Sequence, residues 1–177
     1  MQTLQERVRE LIIDTPNFPI EGILFKDILP LFRHPKLVKE LVSELAKDLL
    51  EYSPTALVAM ESRGFLLGMP LALELGIPFV CIRKKGKLPG AVTGISYALE
   101  YGNAEIEIQK LSFDQGDRVI LHDDVLATGG TANAAAQLIK STGADLVAFS
   151  FLMELNFLKG REFLGLNNAT IHTFARY

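Results

Sequence analysis

The segment VILHDDVLATGGT, residues 119–131, constrains the fold more than any other part of the chain. An apolar run typical of a buried strand reaches two adjacent carboxylates, and a loop of small residues then opens into the helical pattern ANAAAQLIK. In open α/β sheets, ligands bind beyond the carboxyl ends of the strands. We therefore predict that Asp123 and Asp124 lie at the ligand-binding edge of such a sheet.

The loop after the acidic pair has the composition of an anion-binding turn. Its residues lack bulk, so their backbone N–H groups can surround a phosphate at the positive end of the next helix dipole. The nearby carboxylates can accept hydrogen bonds from the hydroxyls of a sugar. A Gly-Gly turn alone is more often a plain helix entry, but here strand, carboxylates, loop and helix follow in order. No Lys follows the second glycine, as a nucleoside triphosphate loop would require.

Alternating patterns along the rest of the chain predict an α/β fold. Apolar runs TALVAME, IPFVCIR, DRVILHDD, ADLVAFSFLMEL and ATIHTFARY alternate with helical patterns, including one from Pro35 and one from Phe65 to Leu75. ISYALEY and AEIEIQK flank a Gly102-Asn103 turn and predict a hairpin. Residues 15–30, rich in Pro, Gly and large apolar side chains, predict an ordered loop. We expect an open, mostly parallel twisted sheet with helices on both faces.

Composition limits the classes of protein that the chain can represent. With 177 residues, of which 49% are hydrophobic, we expect one domain with one core. The formal net charge of −3 offers no general attraction for nucleic acid. Cys81 is the single cysteine, which favours a reducing compartment, and no Cys/His cluster in the sequence has the spacing of a structural metal site. We also expect neither an export signal nor a membrane span. The sequence thus predicts a cytoplasmic protein that binds its anionic ligand at a local site and not through its overall charge.

Six blocks of the sequence resemble the type I phosphoribosyltransferase family, in that family's order. They are FPIEGILFKDI, ESRGF, IRKKGKLPG, YALEYGNAEIEIQ, DDVLATGGT and LKGRE, and together they extend over nearly the whole chain. DDVLATGGT and its flanks resemble the adenine-specific branch. The resemblance implies a pentosyltransferase of purine salvage, which moves a 5-phosphoribosyl group from phosphoribosyl pyrophosphate to adenine and yields AMP and pyrophosphate. It also implies Mg²⁺ bound mainly through the substrate pyrophosphate.

The resemblance further implies how the chain is organised. A single domain, residues 1–177, would carry a small base-binding hood, residues 1–34, and a flexible catalytic β-hairpin flap, residues 83–108. It also implies a homodimer in which flap residues reach the neighbouring site.

The resemblance assigns the binding of phosphoribosyl pyrophosphate to three blocks. Asp123 and Asp124 would bind the ribose hydroxyls, and the 5-phosphate would lie in the turn formed by Ala127, Thr128, Gly129, Gly130 and Thr131. The pyrophosphate would be bound by a tight loop, often with a cis peptide bond, that consists of Glu61, Ser62 and Arg63. Cations of the next block, Arg83, Lys84 and Lys87, would also bind it. Taken alone, such a run of cations is usually a solvated loop. A leaving pyrophosphate, however, needs cations as its charge grows.

Proton transfer and base recognition are assigned to the flap and the N-terminal block. Glu100 would handle the proton that adenine loses, and Tyr101 would close over the substrate. The base would contact Leu24, Phe25, Lys26 and Leu155. Lys26 stands where the family commonly has Arg, and it offers no planar two-point hydrogen bond. Without the resemblance, Glu100 would be read as solvent-facing and Phe25 and Leu155 as core. His122 replaces an expected aliphatic residue and is interpreted as a structural imidazole or as one that supports neighbouring site residues, rather than as a catalyst.

Two other functions remain open at this point. The base could be a 6-oxopurine such as hypoxanthine, guanine or xanthine, to which Lys26 could donate. The chain could also be a non-catalytic regulator that senses phosphoribosyl pyrophosphate, although such proteins usually carry a separate basic module. Release of pyrophosphate with each base separately distinguishes these functions.

Overall fold

The computed structural model describes residues 2–98, 103–165 and 169–177. The chain divides into two compact units, Met1–Leu45 and Ala46–Tyr177. The helix α2, Pro35–Leu50, begins in the first unit and ends in the second. It is the helix predicted from Pro35, and its leucine stripe is buried.

The first unit also contains a helix, a hairpin and a 3-10 turn. Helix α1, Leu4–Leu11, is capped by Thr3, whose side chain accepts from the backbone of Glu6 while Glu6 accepts from the backbone of Thr3. Strands β1, Ile13–Pro16, and β2, Leu24–Asp27, pair antiparallel, and a 3-10 turn follows at Leu29–Arg33. The prediction of a loop over residues 15–30 was therefore wrong at residues 15–16 and 24–27, which belong to strands, and at residues 29–30, which belong to the 3-10 turn. The segment DTP lacks the alternation by which a short strand is recognised in sequence.

The second unit is built on a seven-stranded sheet with the order β5-β6-β4-β3-β7-β8-β9. Its strands are β3 Ala56–Met60, β4 Phe79–Lys84, β5 Val92–Ala98, β6 Asn103–Gln109, β7 Arg118–Leu126, β8 Asp145–Glu154 and β9 Thr170–Arg176. Its helices are α3 Gly64–Leu75, α4 Gly130–Ser141 and α5 Gly160–Leu164, with a 3-10 turn at Asn156–Leu158. Strands β4, β3, β7, β8 and β9 are parallel neighbours.

Helices pack on both faces of this sheet. A Cβ at Gly68 of α3 would lie 2.7 Å from the Cβ of Ala59, so α3 lies close against one face of β3. The alanines of α4 belong to a buried cluster with Val58 and Met60, which point to the opposite face. The predicted fold class is thus confirmed.

Two details differ from the sequence prediction. Strand β7 continues through the acidic pair to Leu126, because Val125 and Leu126 pair with Met153 and Glu154 of β8. The hairpin β5–β6 exists as predicted, but β6 also pairs antiparallel with the end of β4, at Arg83 and Lys84. The hairpin therefore extends the main sheet. Its flexibility, and the single-domain boundaries, stay predictions.

No helix in the part of the chain that the structure describes has the length and apolar character needed to cross a membrane.

Candidate active site

An open cavity of about 700 Å³ lies at the carboxyl ends of β3 and β7. This is the edge at which open α/β sheets bind ligands. The residues that line it come from the ends of these strands, the start of α4 and the β4–β6 region: Glu61, Ser62, Arg63, Lys84, Lys85, Tyr97, Ala104, Glu105, Asp123, Asp124, Val125, Leu126, Ala127, Thr128, Gly129, Gly130, Thr131 and Ala132. Most of the predicted phosphate, ribose and pyrophosphate residues therefore share one cavity.

The turn between β7 and α4 has the geometry of an anion site. It comprises only Ala127, Thr128 and Gly129, because β7 ends at Leu126 and α4 begins at Gly130. Gly129 has φ of +85°, a left-handed conformation that glycine adopts readily. The first N–H groups of a helix have no partner within the helix, so they can bind an anion together with the helix dipole. The predicted phosphate turn thus opens onto the cavity.

In the acidic pair, Asp124 is buried and Asp123 is half-buried. Asp124 is 4% exposed, and its backbone N–H donates to Oδ1 of Asp123 at 2.9 Å. Burial, and then the charge of Asp124, raise the pKa of Asp123 well above its usual value. A Cβ at Gly64 would lie 2.8 Å from Oδ1 of Asp123, so only glycine leaves room for this carboxylate at the start of α3.

The loop after β3 brings a cation to the acidic pair. The Glu61–Ser62 peptide bond is cis, as the resemblance implied. Arg63 follows it, and the Nε of Arg63 lies 2.5 Å from Oδ2 of Asp124. Burial acts to raise the pKa of Glu61, but the N–H of Lys84 and the guanidinium of Arg83 outweigh it, so the pKa is lowered. Glu61 is therefore an anion that holds the end of β4.

The predicted pyrophosphate cations do not all face the cavity. Lys84 lines it, whereas Arg83 and Lys87 are absent from its lining residues. Arg83 instead pairs with Glu61, Nε to Oε2 3.2 Å, and donates to the carbonyl of Lys87 at 2.8 Å. Lys85, which was not among the predicted contacts, lines the cavity and lies 2.7 Å from Glu105.

Sequence reasoning missed three further lining residues of the β5–β6 hairpin, which are Tyr97, Ala104 and Glu105. The hydroxyl of Tyr97 lies 3.3 Å from Oγ1 of Thr131, and Glu105 holds Lys85. The run of cations was the available signal for Lys85. Neither Tyr97 nor Glu105 has a comparable signal, because both stand in alternating strands where a core or solvent-facing position is equally consistent.

Glu100 and Tyr101, the predicted catalytic residues, lie outside the described residues. They follow β5 and precede β6 in the chain.

Three of the four predicted base contacts belong to the first unit. Leu24, Phe25 and Lys26 are on β2, where Phe25 packs edge-to-face on Phe18 with ring centroids 5.0 Å apart. The Nζ of Lys26 lies 2.6 Å from Oδ1 of Asp14. Leu155 is in the second unit, where its N–H donates to the carbonyl of Leu126 at 2.9 Å, and it does not line the cavity.

His122 is a buried member of the sheet, in agreement with its structural interpretation. It is fully buried, and its Nδ1 lies 3.1 Å from Oγ of Ser150 on β8. Burial lowers its pKa to about 4, so the imidazole is neutral at physiological pH.

Taken together, the cavity combines donors for a phosphate, carboxylates for sugar hydroxyls and cations for a second anionic group. Such a set suits a phosphorylated sugar that carries an anionic leaving group.

Comparison with known proteins points to the same family as the six sequence blocks. A model of the phosphoribosyl transferase domain family matches residues 29–158. The adenine phosphoribosyltransferase of Cytophaga hutchinsonii is 45% identical over 176 residues, which cover 99% of this chain and 97% of the relative.

Solved structures agree. The adenine phosphoribosyltransferase of Thermoanaerobacter pseudethanolicus is 42% identical with a TM-score of 0.94, over 99% of this chain and 100% of that one. The Saccharomyces cerevisiae enzyme, complexed with D-2,5-dideoxy-2,5-imino-altritol 1,6-bisphosphate and adenine, is 44% identical with a TM-score of 0.89, over 97% of this chain and 98% of that one.

Proposed function

The chain belongs to the phosphoribosyl transferase family, and we propose that it transfers the 5-phosphoribosyl group of phosphoribosyl pyrophosphate to adenine. The products are AMP and pyrophosphate. The proposal rests on one observation: Asp123, Asp124, Arg63 and the turn before α4 line the same cavity. The choice of adenine rests on relatives named adenine phosphoribosyltransferase that match almost the full chain.

The sugar phosphate would be bound by β7 and the turn that follows it. The 5-phosphate would accept hydrogen bonds from the N–H groups of Ala127–Thr131 and from the threonine hydroxyls. The ribose hydroxyls would donate to Asp123 and Asp124. These contacts leave the anomeric carbon held in a fixed position, which lowers the entropic barrier to attack by the base.

The pyrophosphate would be bound by Arg63 and by the cations at the carboxyl end of β4. Arg63 and Lys84 line the cavity, and Lys85 lies there in a salt bridge with Glu105. As the bond from the anomeric carbon to the pyrophosphate oxygen breaks, negative charge grows on the leaving group. Cations held in advance stabilise that charge without further reorganisation.

Magnesium fits this site as an ion bound mainly by the substrate. Within the described ranges, no group of three or more His, Cys, Asp or Glu side chains is arranged to hold a metal ion. Mg²⁺ commonly keeps several waters and is bound through substrate phosphates, and Asp123 and Asp124, which line the cavity, would be linked to the ion through such waters. When bound, the ion would neutralise charge on the pyrophosphate.

The proton lost by adenine would be taken or shared by Glu100, and Tyr101 would close over the substrate. A closed flap would keep water from the activated sugar. The base itself would contact Leu24, Phe25, Lys26 and Leu155. Because Lys26 lies 2.6 Å from Asp14, we infer that backbone groups near Leu24 contribute more to recognition of the base.

We further propose that the enzyme is a cytoplasmic homodimer. Arg83 and Lys87 do not line the cavity of their own chain, which is consistent with a role in the neighbouring site. The single cysteine is consistent with a reducing compartment.

A pyrophosphate-release assay tests the activity. The purified chain is incubated with phosphoribosyl pyrophosphate, Mg²⁺ and either adenine, hypoxanthine, guanine or xanthine, with controls that omit the base or the enzyme. We expect release only with adenine and an equal amount of AMP by chromatography. Turnover with a 6-oxopurine in preference to adenine would contradict the base assignment. Tight binding of phosphoribosyl pyrophosphate without turnover on any base would instead identify a sensor.

A further inference from the structure

The LKGRE block, residues 158–162, has no role in the proposed chemistry, yet it packs directly on the phosphate turn. A Cβ at Gly160 would lie 2.1 Å from the carbonyl oxygen of Ala127 and 2.9 Å from Cδ1 of Leu126. No side chain can occupy that space, so the backbone of α5 touches the backbone of the turn. Gly160 is itself buried.

The contact is reciprocal. A Cβ at Gly129 would lie 3.0 Å from the carbonyl oxygen of Gly160 and 3.3 Å from both Phe163 and Leu164. The turn is therefore in contact with α5 at both Ala127 and Gly129, while its residues also face the cavity. Protein interiors are close-packed, so a displacement of α5 has to be transmitted to the turn.

A salt bridge anchors α5 to the end of the sheet. Arg161 contacts both carboxylate oxygens of Glu154, with Nε to Oε1 2.9 Å and Nη2 to Oε2 2.7 Å. It also donates to the carbonyl of Ile171 at 3.0 Å and to Oγ1 of Thr173 at 3.1 Å. One guanidinium thus ties α5 to β8 and β9. A helix of five residues has little stability of its own, so these bonds determine where it lies.

Glu154 is suited to this task because it is charged, buried and next to the turn. It is 4% exposed, and it pairs in register with Leu126, the last residue of β7 before the turn. Burial acts to raise the pKa of Glu154, but the hydrogen bond and the charge of Arg161 outweigh it, so the pKa is lowered. A bidentate guanidinium–carboxylate pair also fixes orientation, which a single contact would not.

We propose that Gly160 and Arg161 are positioning residues that hold the turn Ala127–Gly129 in its phosphate-binding shape, with Glu154 as the anchor. The inference rests on the proposed function, in which this turn binds the 5-phosphate. It predicts a specific defect: ligands that carry the 5-phosphate are bound less tightly, whereas adenine is not affected.

Gly160, the first residue of α5, and Gly165, the residue that follows α5, provide a matched pair of variants. In Gly160→Ala the new methyl group forces α5 and the turn apart by about 1 Å, and displacements of that size reduce binding or rate by about tenfold to a hundredfold. Gly165→Ala is the control, because nothing lies within 4 Å of a Cβ at Gly165 and its φ is −54°. We measure the KM for phosphoribosyl pyrophosphate, the KM for adenine, kcat, the Kd for ribose 5-phosphate and the melting temperature.

The expected result is a KM for phosphoribosyl pyrophosphate and a Kd for ribose 5-phosphate that both rise by about tenfold or more in Gly160→Ala, with the KM for adenine unchanged. Gly165→Ala should behave as the unmodified chain. A fall in melting temperature with unchanged binding of ribose 5-phosphate would overturn the proposal, because a merely structural role predicts that result.

A second pair covers the case in which Gly160→Ala fails to fold. Arg161→Lys keeps the charge but loses the bidentate contact. Arg176→Lys is the control, because Arg176 is the other arginine that pairs with Glu154. Arg176 lies on β9, and its Nε is 3.4 Å from Oε2 of Glu154. We expect weaker binding of ribose 5-phosphate in Arg161→Lys only. Equal effects in the two variants would overturn the role of α5. Binding of ribose 5-phosphate needs no turnover, so it tests the role of α5 independently of the reaction. A chain that binds ribose 5-phosphate but releases no pyrophosphate from phosphoribosyl pyrophosphate with any base would refute the proposed function and leave this test intact.

Discussion

The Nε of Arg63 lies 2.5 Å from Oδ2 of Asp124, so the cavity already contains an ion pair between two residues that we assign to substrate. The side chain of Asp124 is 5% exposed and that of Arg63 is 30% exposed. A pyrophosphate that enters the cavity must therefore share Arg63 with a buried carboxylate. The pair orients the guanidinium before the substrate arrives, and it gives the buried carboxylate of Asp124 a cationic partner.

Arg63→Ala should damage both activity and stability. Loss of a preorganised donor at a developing negative charge is expected to lower kcat/KM for phosphoribosyl pyrophosphate by about a hundredfold or more. The unpaired carboxylate of Asp124 is expected to lower the free energy of unfolding by on the order of 2 kcal/mol. Steady-state kinetics and urea unfolding measure the two effects.

The double variant Arg63→Ala/Asp124→Asn separates these effects. A neutral amide at position 124 no longer needs a cation, so we expect most of the lost stability to return while activity stays low. If stability does not recover, the ion pair is not the source of the loss.

Asp123→Asn should raise the free energy of unfolding of the free protein and weaken its binding of phosphoribosyl pyrophosphate. Because burial and Asp124 raise the pKa of Asp123, its charged form is unfavourable in the folded state, and an amide removes that penalty at neutral pH. We expect a gain on the order of 1 kcal/mol at pH 8, together with a KM for phosphoribosyl pyrophosphate that is raised by about tenfold. The gain should shrink as the pH falls and Asp123 takes up a proton in both states. A gain that does not depend on pH would refute this explanation.

The sequence predicted the elements whose hydrophobic pattern is decided locally. Strands β3, β4 and β8 contain apolar runs, and α2 carries a leucine stripe, so each is visible in any window that contains it. The end of β7 is different. Val125 and Leu126 are strand residues only because β8 is long enough to pair with them, which is a property of the neighbouring strand.

Within the site, backbone-driven features were predictable and side-chain directions were not. The position of the turn between β7 and α4 could be predicted because an apolar strand, two carboxylates, small residues and a helical pattern follow one another in order. The cations 83–87 were visible as a group, but which of them faces the cavity depends on the pairing of β4 with β6. Arg83 is drawn to Glu61, a residue more than twenty positions earlier, and no local pattern indicates that.

Glu100→Gln tests the assignment of proton transfer. The amide keeps the shape of the side chain but cannot take a proton, so kcat should fall by about a hundredfold or more while the Kd for phosphoribosyl pyrophosphate changes little. Rapid mixing with radiolabelled substrate measures both quantities. Glu105→Gln is a useful comparison in the same hairpin, since it removes the partner of Lys85 and is expected to act on binding of phosphoribosyl pyrophosphate instead. Equal losses of turnover and binding in Glu100→Gln would defeat its catalytic role.

His122→Val tests the effect of the buried imidazole on stability. Burial lowers its folded pKa to about 4, from 6.5 in the unfolded chain, so between these values the unfolded chain binds a proton that the folded protein does not. The free energy of unfolding should therefore fall by about 3 kcal/mol as the pH drops from 6.5 to 4, and this contribution should be constant above that range. Valine is a strand-forming residue that does not titrate, so the variant should lack this part of the decline.

Urea unfolding at several pH values measures the difference between the two proteins, with His34→Gln as a control at an exposed histidine. Parallel decline of the variant and the unmodified chain would show that His122 does not carry the effect.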